Sequence, residues 1–257
     1  MKNFQKVTLQ DIDYFQLHNL FSSNANLKNY TFFKNFEKII SFVGTKNKIF
    51  KSNIQKLNKN SFFIFPHNSK ISKYHQSLYL INSFPFKKRK FIYADIKLEK
   101  RDKKFFIIHP GSGSRNKNVS IDFLQDIENK IKNKFKIKSL WIGGEAEKYL
   151  KNITKISILN TTDELLSIIS SSIFFIGNDS GVAHLSAACN LLTFTFFGPT
   201  SPAIWAPIGR KSVVFYKNLA CSPCNNFCAQ KKCLKFNTKD VLTIMEKLIE
   251  QEIYSCS

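Results

Sequence analysis

Residues 174–184 read Phe-Phe-Ile-Gly-Asn-Asp-Ser-Gly-Val-Ala-His, and this stretch decides the fold class. An apolar strand is followed by a loop of small residues and then by a helix. Gly177 and Gly181 permit the tight turn between them. The backbone amides near Ser180 begin the helix and have no partner inside it, so the loop is a cradle for phosphate.

Two side chains near this loop can also contact a bound ligand. His184 lies in the first helical turn, where it can reach the same anion, and Asp179 stands at the rim, where it can bind a hydroxyl or orient the loop. A capped helix, with Asp179 or Ser180 as N-cap and His184 in the core, explains the same residues without a ligand.

The order strand, loop, helix repeats from residue 105 to the end of the chain. The apolar runs predict strands at 105–109, 139–142, 156–159, 173–176, 191–197 and 213–216. Between and after them, the sequence predicts helices at 120–135, 145–151, 162–170, 182–189 and 239–252. Short apolar strands alternating with helices are typical of an α/β protein whose parallel sheet is covered on both faces. Ligands of such sheets bind at the carboxyl ends of the strands.

The first hundred residues are less regular. They predict strands at 39–43 and 61–65 and a helix over 70–82 with Ile71, Tyr74, Leu78 and Ile81 on one side. The polar run at 100–104 predicts a boundary between a shortened N-terminal domain, 1–100, and a second domain, 101–257.

The composition and charge of the chain exclude some classes of protein and favour others. Of 257 residues, 43% are hydrophobic, which excludes a disordered or collagen-like chain. The net charge is +21, and residues 1–100 carry 18 basic and 5 acidic side chains. Such a field attracts phosphate-bearing partners, although solvated lysines without a partner explain it equally. No motif of a nucleic-acid-binding protein appears, so no nucleic-acid partner is predicted. With no apolar run of about 18 residues and no signal peptide, we expect a cytoplasmic protein, with peripheral contact to the inner membrane.

Two more loops leave strands at the same predicted edge of the sheet. Residues 109–117, His-Pro-Gly-Ser-Gly-Ser-Arg-Asn-Lys, offer glycines for close approach, the hydroxyls of Ser112 and Ser114, and the cation of Lys117. Residues 197–202 read Phe-Gly-Pro-Thr-Ser-Pro. Three small-residue loops around one anion cradle predict a site for a nucleotide diphosphate.

In order and spacing, these three motifs resemble glycosyltransferase family nine, the heptosyltransferase-like enzymes, over about residues 105–250. The resemblance implies a GT-B fold, in which two Rossmann-like domains face a cleft. It implies inverting transfer of a sugar, heptose from ADP-heptose, onto an anionic glycolipid acceptor, the lipopolysaccharide core. No cofactor and no metal are implied for this reaction.

The resemblance assigns roles to matching residues. It implies that Lys117 contacts the donor phosphate and that Asn178, Asp179, Ser180, Gly181 and His184 hold the donor diphosphate and sugar. Lys117 and Asp179 are therefore expected to be catalytic. Glu147 matches a segment that reaches the nucleoside, and a glutamate that merely begins a helix is the equal alternative.

The chain departs from the family where the catalytic base is expected. The family takes its base from a Gly-Asp motif after the first strand, and this chain has Gln10 in place of the glycine. Asp11 is then the candidate base and Asp13 the second, against the alternative of an exposed turn carboxylate. The departure favours a second hypothesis, a catalytically degenerate relative that only binds nucleotide-sugar or anionic glycan. We also expect His67, Ser69 and the basic run 87–90 to meet acceptor phosphates.

Four cysteines are crowded near the end of the chain. Cys221, Cys224, Cys228 and Cys233 have the spacing C-x2-C-x3-C-x4-C. Four thiolates so close suit Zn2+ or an iron–sulfur cluster, but structural zinc sites more often use two separated C-x2-C pairs. Metal binding, reduced thiols near the cleft and a redox role all stay open.

Overall fold

A computed structural model of the protein describes residues 10–11, 13–65, 74–84, 93–99, 101–224, 228 and 230–254. The chain divides into two compact units, Met1–Phe91 and Ile92–Ser257. The predicted boundary lies nine residues later than this division. The reason is that the segment 93–99 is attached to the second unit: the Ile96 amide donates to the Ala188 carbonyl at 2.6 Å, and Leu98 packs against the second unit's core.

The first unit is built around one βαβ unit. Strand β1 (Ile39–Ser41), helix α1 (Lys48–Leu57) and strand β2 (Ser61–Phe63) follow one another, and the two strands pair in parallel. Helix α2 (Gln76–Ser83) and the 3-10 helices Leu17–Phe21 and Leu27–Asn35 complete the described part. Its core consists of Leu20, Tyr30, Phe50, Ile54 and Leu57. Within the described residues this is one βαβ unit, and the shortened Rossmann-like domain expected over residues 1–100 stays a prediction.

Two features of the first unit differ from the sequence prediction. Helix α1 was not predicted. Helix α2 begins at Gln76, because His75 accepts a hydrogen bond from the Ser77 amide at 3.2 Å and so caps it. Tyr74 precedes that cap and is 71% exposed, so it lies outside the helix that the sequence predicted to include it.

The second unit contains a six-stranded, all-parallel sheet, which confirms the predicted α/β class. Its strands are β3 (Phe105–His109), β4 (Lys138–Gly143), β5 (Ile156–Ile158), β6 (Ser172–Asn178), β7 (Leu192–Phe197) and β8 (Ser212–Tyr216). They are arranged in the order β5-β4-β3-β6-β7-β8. Every residue of β6 and β7 is buried, which is why neither strand contains a charged residue.

Helices cover both faces of this sheet. Helices α3 (Ile121–Phe135) and α7 (Thr238–Tyr254) pack on one face, whereas α4 (Thr162–Ser170) and α5 (Gly181–Ala188) pack on the other. Short helices fill the connections: α6 (Pro202–Trp205) and the 3-10 helices Arg115–Lys117, Glu145–Asn152 and Lys232–Leu234. No helix in the described part of the chain is long and apolar enough to cross a bilayer.

The position of the ligand crevice follows from this topology. β3 and β6 are neighbours, with His109 opposite Gly177, yet α3 after β3 and α5 after β6 lie on opposite faces. The two loops therefore diverge where the strands end. In parallel sheets this divergence creates the crevice that binds ligands.

Candidate functional site

An ion pair bridges the two diverging loops. Lys117, in the 3-10 helix after β3, places its Nζ 2.9 Å from Asp179 Oδ2 and 3.3 Å from the Asp179 carbonyl oxygen, just after β6. The Lys117 side chain is 23% exposed and that of Asp179 9%. Because an ammonium carries three N–H donors, the described residues leave one for a ligand in the crevice.

A second loop holds the Asp179 carboxylate from the other side. Thr200, after β7, donates its hydroxyl to Asp179 Oδ2 at 2.8 Å, and the Asp179 amide donates to the Phe196 carbonyl at 3.2 Å. Asp179 Oδ1 accepts no hydrogen bond from the described residues. The sequence pointed to the loop 197–202 but gave Thr200 no role of its own.

The N-terminus of α5 has the arrangement expected of an anion cradle. Ser180 is the N-cap and accepts from the Ala183 amide at 3.3 Å, while the His184 amide donates to the Ser180 carbonyl. The amides of Gly181 and Val182 have no acceptor among the described residues. A Cβ added to Gly181 would meet nothing within 4 Å, so the surface beside this residue is open.

His109 contacts the serine that caps α5. It ends β3 and is buried, and its Nδ1 lies 3.4 Å from Ser180 Oγ. Burial lowers the pKa of His109 from 6.5 to about 4, because the low-dielectric interior disfavours the charged ring. The sequence showed this histidine in a motif, but only the fold brings it to Ser180.

The lowered pKa of His109 makes stability depend on pH. Its folded-state pKa of about 4 lies below the unfolded value of 6.5, so the unfolded chain binds the proton more tightly. Stability is therefore retained above pH 6.5 and lost as the pH falls from 6.5 towards 4. Between pH 7 and pH 4.5 we expect His109 to account for a loss of about 2 kcal/mol in the free energy of unfolding. Urea unfolding of the wild type and His109→Gln at both pH values measures it, and an unchanged pH dependence in the variant would contradict it.

The side chain of Asn178 makes hydrogen bonds within the protein. This residue was predicted to hold the donor, but its side chain is fully buried and both ends are engaged: Nδ2 donates to the Pro110 carbonyl at 2.8 Å, and Oδ1 accepts from the Val119 amide at 3.0 Å. Buried polar groups need such partners. Asn178 therefore fixes the loop after β3 to the end of β6 and acts as a positioning residue.

The two loop serines also make bonds within their own loop. Ser112 Oγ lies 2.7 Å from the Ser114 carbonyl oxygen and 2.6 Å from Asn118 Oδ1, and it accepts from the Ser114 amide. Ser114 Oγ accepts from the Asn116 amide at 3.4 Å and so caps the 3-10 helix that carries Lys117. Both hydroxyls shape the loop that presents the cation.

Glu147 is buried at the same edge of the sheet. Its Oε2 accepts from the Gly144 amide at 2.8 Å, which is the helix-starting role that the sequence left open. Its Oε1 accepts nothing from the described residues and faces the loop after β3. A Cβ added to Gly111 would lie only 2.2 Å from this oxygen.

The candidate bases belong to the first unit. Asp11 and Asp13 are both exposed, and the Asp13 amide donates to Asp11 Oδ1 at 2.8 Å, which is the turn geometry that the alternative described. Asp13 lines a mostly apolar groove of about 340 Å³ together with His18. His67, Ser69 and the basic run 87–90 lie outside the described residues.

The cysteine segment, residues 221–224, 228 and 230–235, supports the loop that carries Thr200. The Cys224 amide donates to the Pro199 carbonyl at 2.8 Å, and Leu234 packs so closely on Gly198 that an added Cβ would lie 2.5 Å away. The sequence gave this segment no such supporting role.

No disulfide joins Cys221, Cys228 and Cys233 in the part of the chain that the structure describes. Burial, and then the nearby thiols of Cys224, Cys221 and Cys228, raise the pKa of the Cys233 thiol. In the part of the chain that the structure describes, no three His, Cys, Asp or Glu side chains are grouped to hold a metal ion.

The family profile described as Glycosyltransferase family 9 (heptosyltransferase) matches residues 144–235, which include Glu147 and the loop 178–184 but not Lys117. Lipopolysaccharide heptosyltransferase 1 of Pseudomonas aeruginosa is 39% identical over 46 residues. That match spans 18% of this chain and 13% of the relative.

Solved structures resemble the chain over a longer range. ADP-heptose lps heptosyltransferase II of E. coli aligns with a TM-score of 0.61 at 13% identity, covering 88% of this chain and 81% of that one. A family 9 glycosyl transferase of Veillonella parvula aligns with a TM-score of 0.61 at 12% identity, covering 89% and 79%. At such identities the likeness shows the α/β fold with parallel sheets.

Proposed function

We propose that the protein transfers a sugar from a nucleotide-diphospho-sugar to a glycan acceptor, because the profile of glycosyltransferase family 9 matches residues 144–235 of its second unit. The observation that carries the proposal is the Lys117–Asp179 pair, at 2.9 Å, beside the open amides that begin α5. An ammonium and a helix N-terminus at a topological switch point match the charge and shape of a diphosphate.

The proposed reaction needs the leaving anion to be stabilised. The acceptor hydroxyl oxygen attacks the anomeric carbon from the face opposite the diphosphate, the bond from that carbon to the phosphate oxygen breaks, and the configuration inverts. Negative charge develops on the diphosphate, and Lys117 and the amides of Gly181 and Val182 stabilise it. Asp179 Oδ1 is available to a sugar hydroxyl, and a carboxylate of the first unit, Asp11 or Asp13, takes the acceptor proton.

The same proposal extends to the identity of the sugar and of the acceptor. We propose heptose from ADP-heptose, because the E. coli protein that shares this fold is an ADP-heptose transferase. We propose the lipopolysaccharide core as acceptor, reached at the cytoplasmic surface of the inner membrane, because the first hundred residues carry 18 basic side chains against 5 acidic ones. The two units would then be the two halves of a GT-B enzyme.

Calorimetric titration tests the donor. The full chain is titrated with ADP-heptose, ADP and UDP, and we expect ADP-heptose and ADP to bind and UDP to bind more weakly. If no nucleotide binds, the proposed function is wrong. Transfer is then followed as a mass shift of a truncated lipopolysaccharide acceptor.

A second candidate function is binding without catalysis. The exposed turn geometry of Asp11 and Asp13 and the single described βαβ unit favour it. If the wild type binds donor but never modifies an authentic acceptor, this alternative is correct. If it does turn over, Asp11→Asn and Asp13→Asn identify the base, and unchanged turnover in both variants excludes both carboxylates.

Gly111→Ala tests whether Glu147 binds the nucleoside. The new Cβ would occupy the place of Glu147 Oε1, 2.2 Å away, and push the carboxylate from its position. A carboxylate that accepts hydroxyl hydrogen bonds contributes about 1.5–3 kcal/mol, so we expect ADP to bind at least ~10-fold more weakly. Gly113→Ala is the matched control, since its Cβ would meet nothing within 4 Å. Equal ADP affinities in the two variants would leave Glu147 with the helix-capping role alone.

A further inference from the structure

The second unit holds a cavity that neither the donor crevice nor the mechanism uses. It has a volume of about 520 Å³, within the range of sites for small molecules. It lies on the α3 side of the sheet, between the first residues of α3, the 3-10 helix Glu145–Asn152 and the end of the cysteine segment.

The cavity is lined by three cations and no carboxylate among the described residues. Arg115, Lys231 and Lys235 all line it, and none of them has a carboxylate within 4.0 Å in the described part of the chain. Asp122 is close in sequence but does not line the cavity. Three like charges around one concave space repel one another unless an anion lies between them.

Two of these cations are held in place before any ligand binds. The Arg115 guanidinium lies 4.0 Å from the centroid of the Tyr149 ring, and Lys231 Nζ donates to the Arg115 carbonyl at 3.3 Å. A guanidinium stacked on a ring keeps its N–H donors in a fixed plane, which suits the oxygens of a phosphate. The first residues of α3, Ser120 and Ile121, also line the cavity and add the positive end of the helix dipole.

The remaining wall is apolar and aromatic. Phe123 and Phe236 line it with ring centroids 6.1 Å apart, together with Leu234 and Val119. The cavity thus combines a cationic end with a surface on which a ring can pack.

The cavity is distinct from the donor crevice. Arg115 and Lys117 belong to the same three-residue helix, yet Lys117 bonds to Asp179, whereas Arg115 lies on Tyr149. The donor amides belong to α5, which packs on the other face of the sheet from α3.

We propose that this cavity is a second ligand site, which binds a small ring compound carrying a phosphomonoester, such as a sugar phosphate. The phosphate lies between Arg115, Lys231 and Lys235, and the ring packs on Phe123 and Phe236. The proposal does not depend on the donor or the transfer reaction.

A ligand-observed NMR titration of the full chain with glucose 6-phosphate tests it. We expect saturable binding that is at least ~10-fold weaker in the double variant Arg115→Gln/Lys235→Gln. The matched control Lys232→Gln/Lys239→Gln loses the same charge from two exposed lysines that do not line the cavity, and it should bind as the wild type does. Lys117→Ala should also bind as the wild type does, and thermal unfolding checks that each variant is folded.

Five results would overturn the proposal. The first four are no binding, equal weakening in the control pair, loss of binding in Lys117→Ala, which would place the probe in the donor crevice, and glucose binding as tightly as its phosphate. Inorganic phosphate is the last arm: if it binds as tightly as glucose 6-phosphate, the ring makes no contact and the proposed ligand class is wrong.

Discussion

Replacing Lys117 with alanine is expected to lower kcat/KM for sugar transfer by about 10²–10³-fold, the effect typical of losing one preorganised donor to a developing anion. The variant removes the only cation within 4.0 Å of Asp179 in the described chain and leaves that carboxylate, 9% exposed, without its charge partner. The diphosphate then faces an unneutralised negative charge. Steady-state kinetics with the donor varied measures the loss.

Lys130→Ala is the matched control for this substitution. Lys130 also pairs with an aspartate at 2.9 Å, but both side chains of the pair with Asp126 are largely exposed. Exposed pairs contribute little, so kcat/KM should stay within about 2-fold of the wild type. Because Lys117→Ala can also weaken folding, the thermal unfolding of both variants is compared. Undiminished transfer by folded Lys117→Ala would exclude the proposed role.

Gly177→Ala is expected to lower the free energy of unfolding of the second unit by about 3 kcal/mol, the upper part of the range for overpacking a core. The added Cβ would lie 2.8 Å from the His109 carbonyl oxygen and 2.7 Å from the Phe175 ring. Both neighbours are fixed, since His109 lies opposite Gly177 on β3 and Phe175 is fully buried. The sheet must therefore shift at its centre.

Gly181→Ala, four residues further on, provides the comparison. Its Cβ would meet nothing within 4 Å, and alanine suits a helix better than glycine does, so stability should be unchanged or slightly higher. Urea unfolding followed by circular dichroism measures both variants. Equal destabilisation of the two would mean that close packing at Gly177 is not the cause.

The sheet of the second unit could be predicted from sequence because its central strands β6 and β7 are buried throughout. β6 and β7 are runs of apolar residues bounded by small residues, and Ser120 and Thr161 mark the starts of α3 and α4 by accepting amide hydrogen bonds. The start of α1 carried the same kind of signal. Asn47 caps it, and Phe50, Ile54 and Leu57 follow at helical spacing, but this pattern went unrecognised among irregular neighbours.

The roles of individual site residues were harder to predict because they depend on distances between loops. The side chains of Lys117 and Asp179 meet across 62 residues of chain, and those of His109 and Ser180 across 71. Their loops could be placed at one edge of the sheet from the strand order alone. The hydrogen-bond partners of Asn178 and Thr200 could not be predicted in this way, because neighbouring loops offer several polar groups at similar separations.

The buried amide of Asn178 has a consequence for how quickly a donor can bind. By bonding to Pro110 and Val119, it joins the loop after β3 to the end of β6 before any nucleotide binds. Association then requires no prior ordering of these loops, so the forward rate constant should follow solvent viscosity and ionic strength rather than a slow rearrangement.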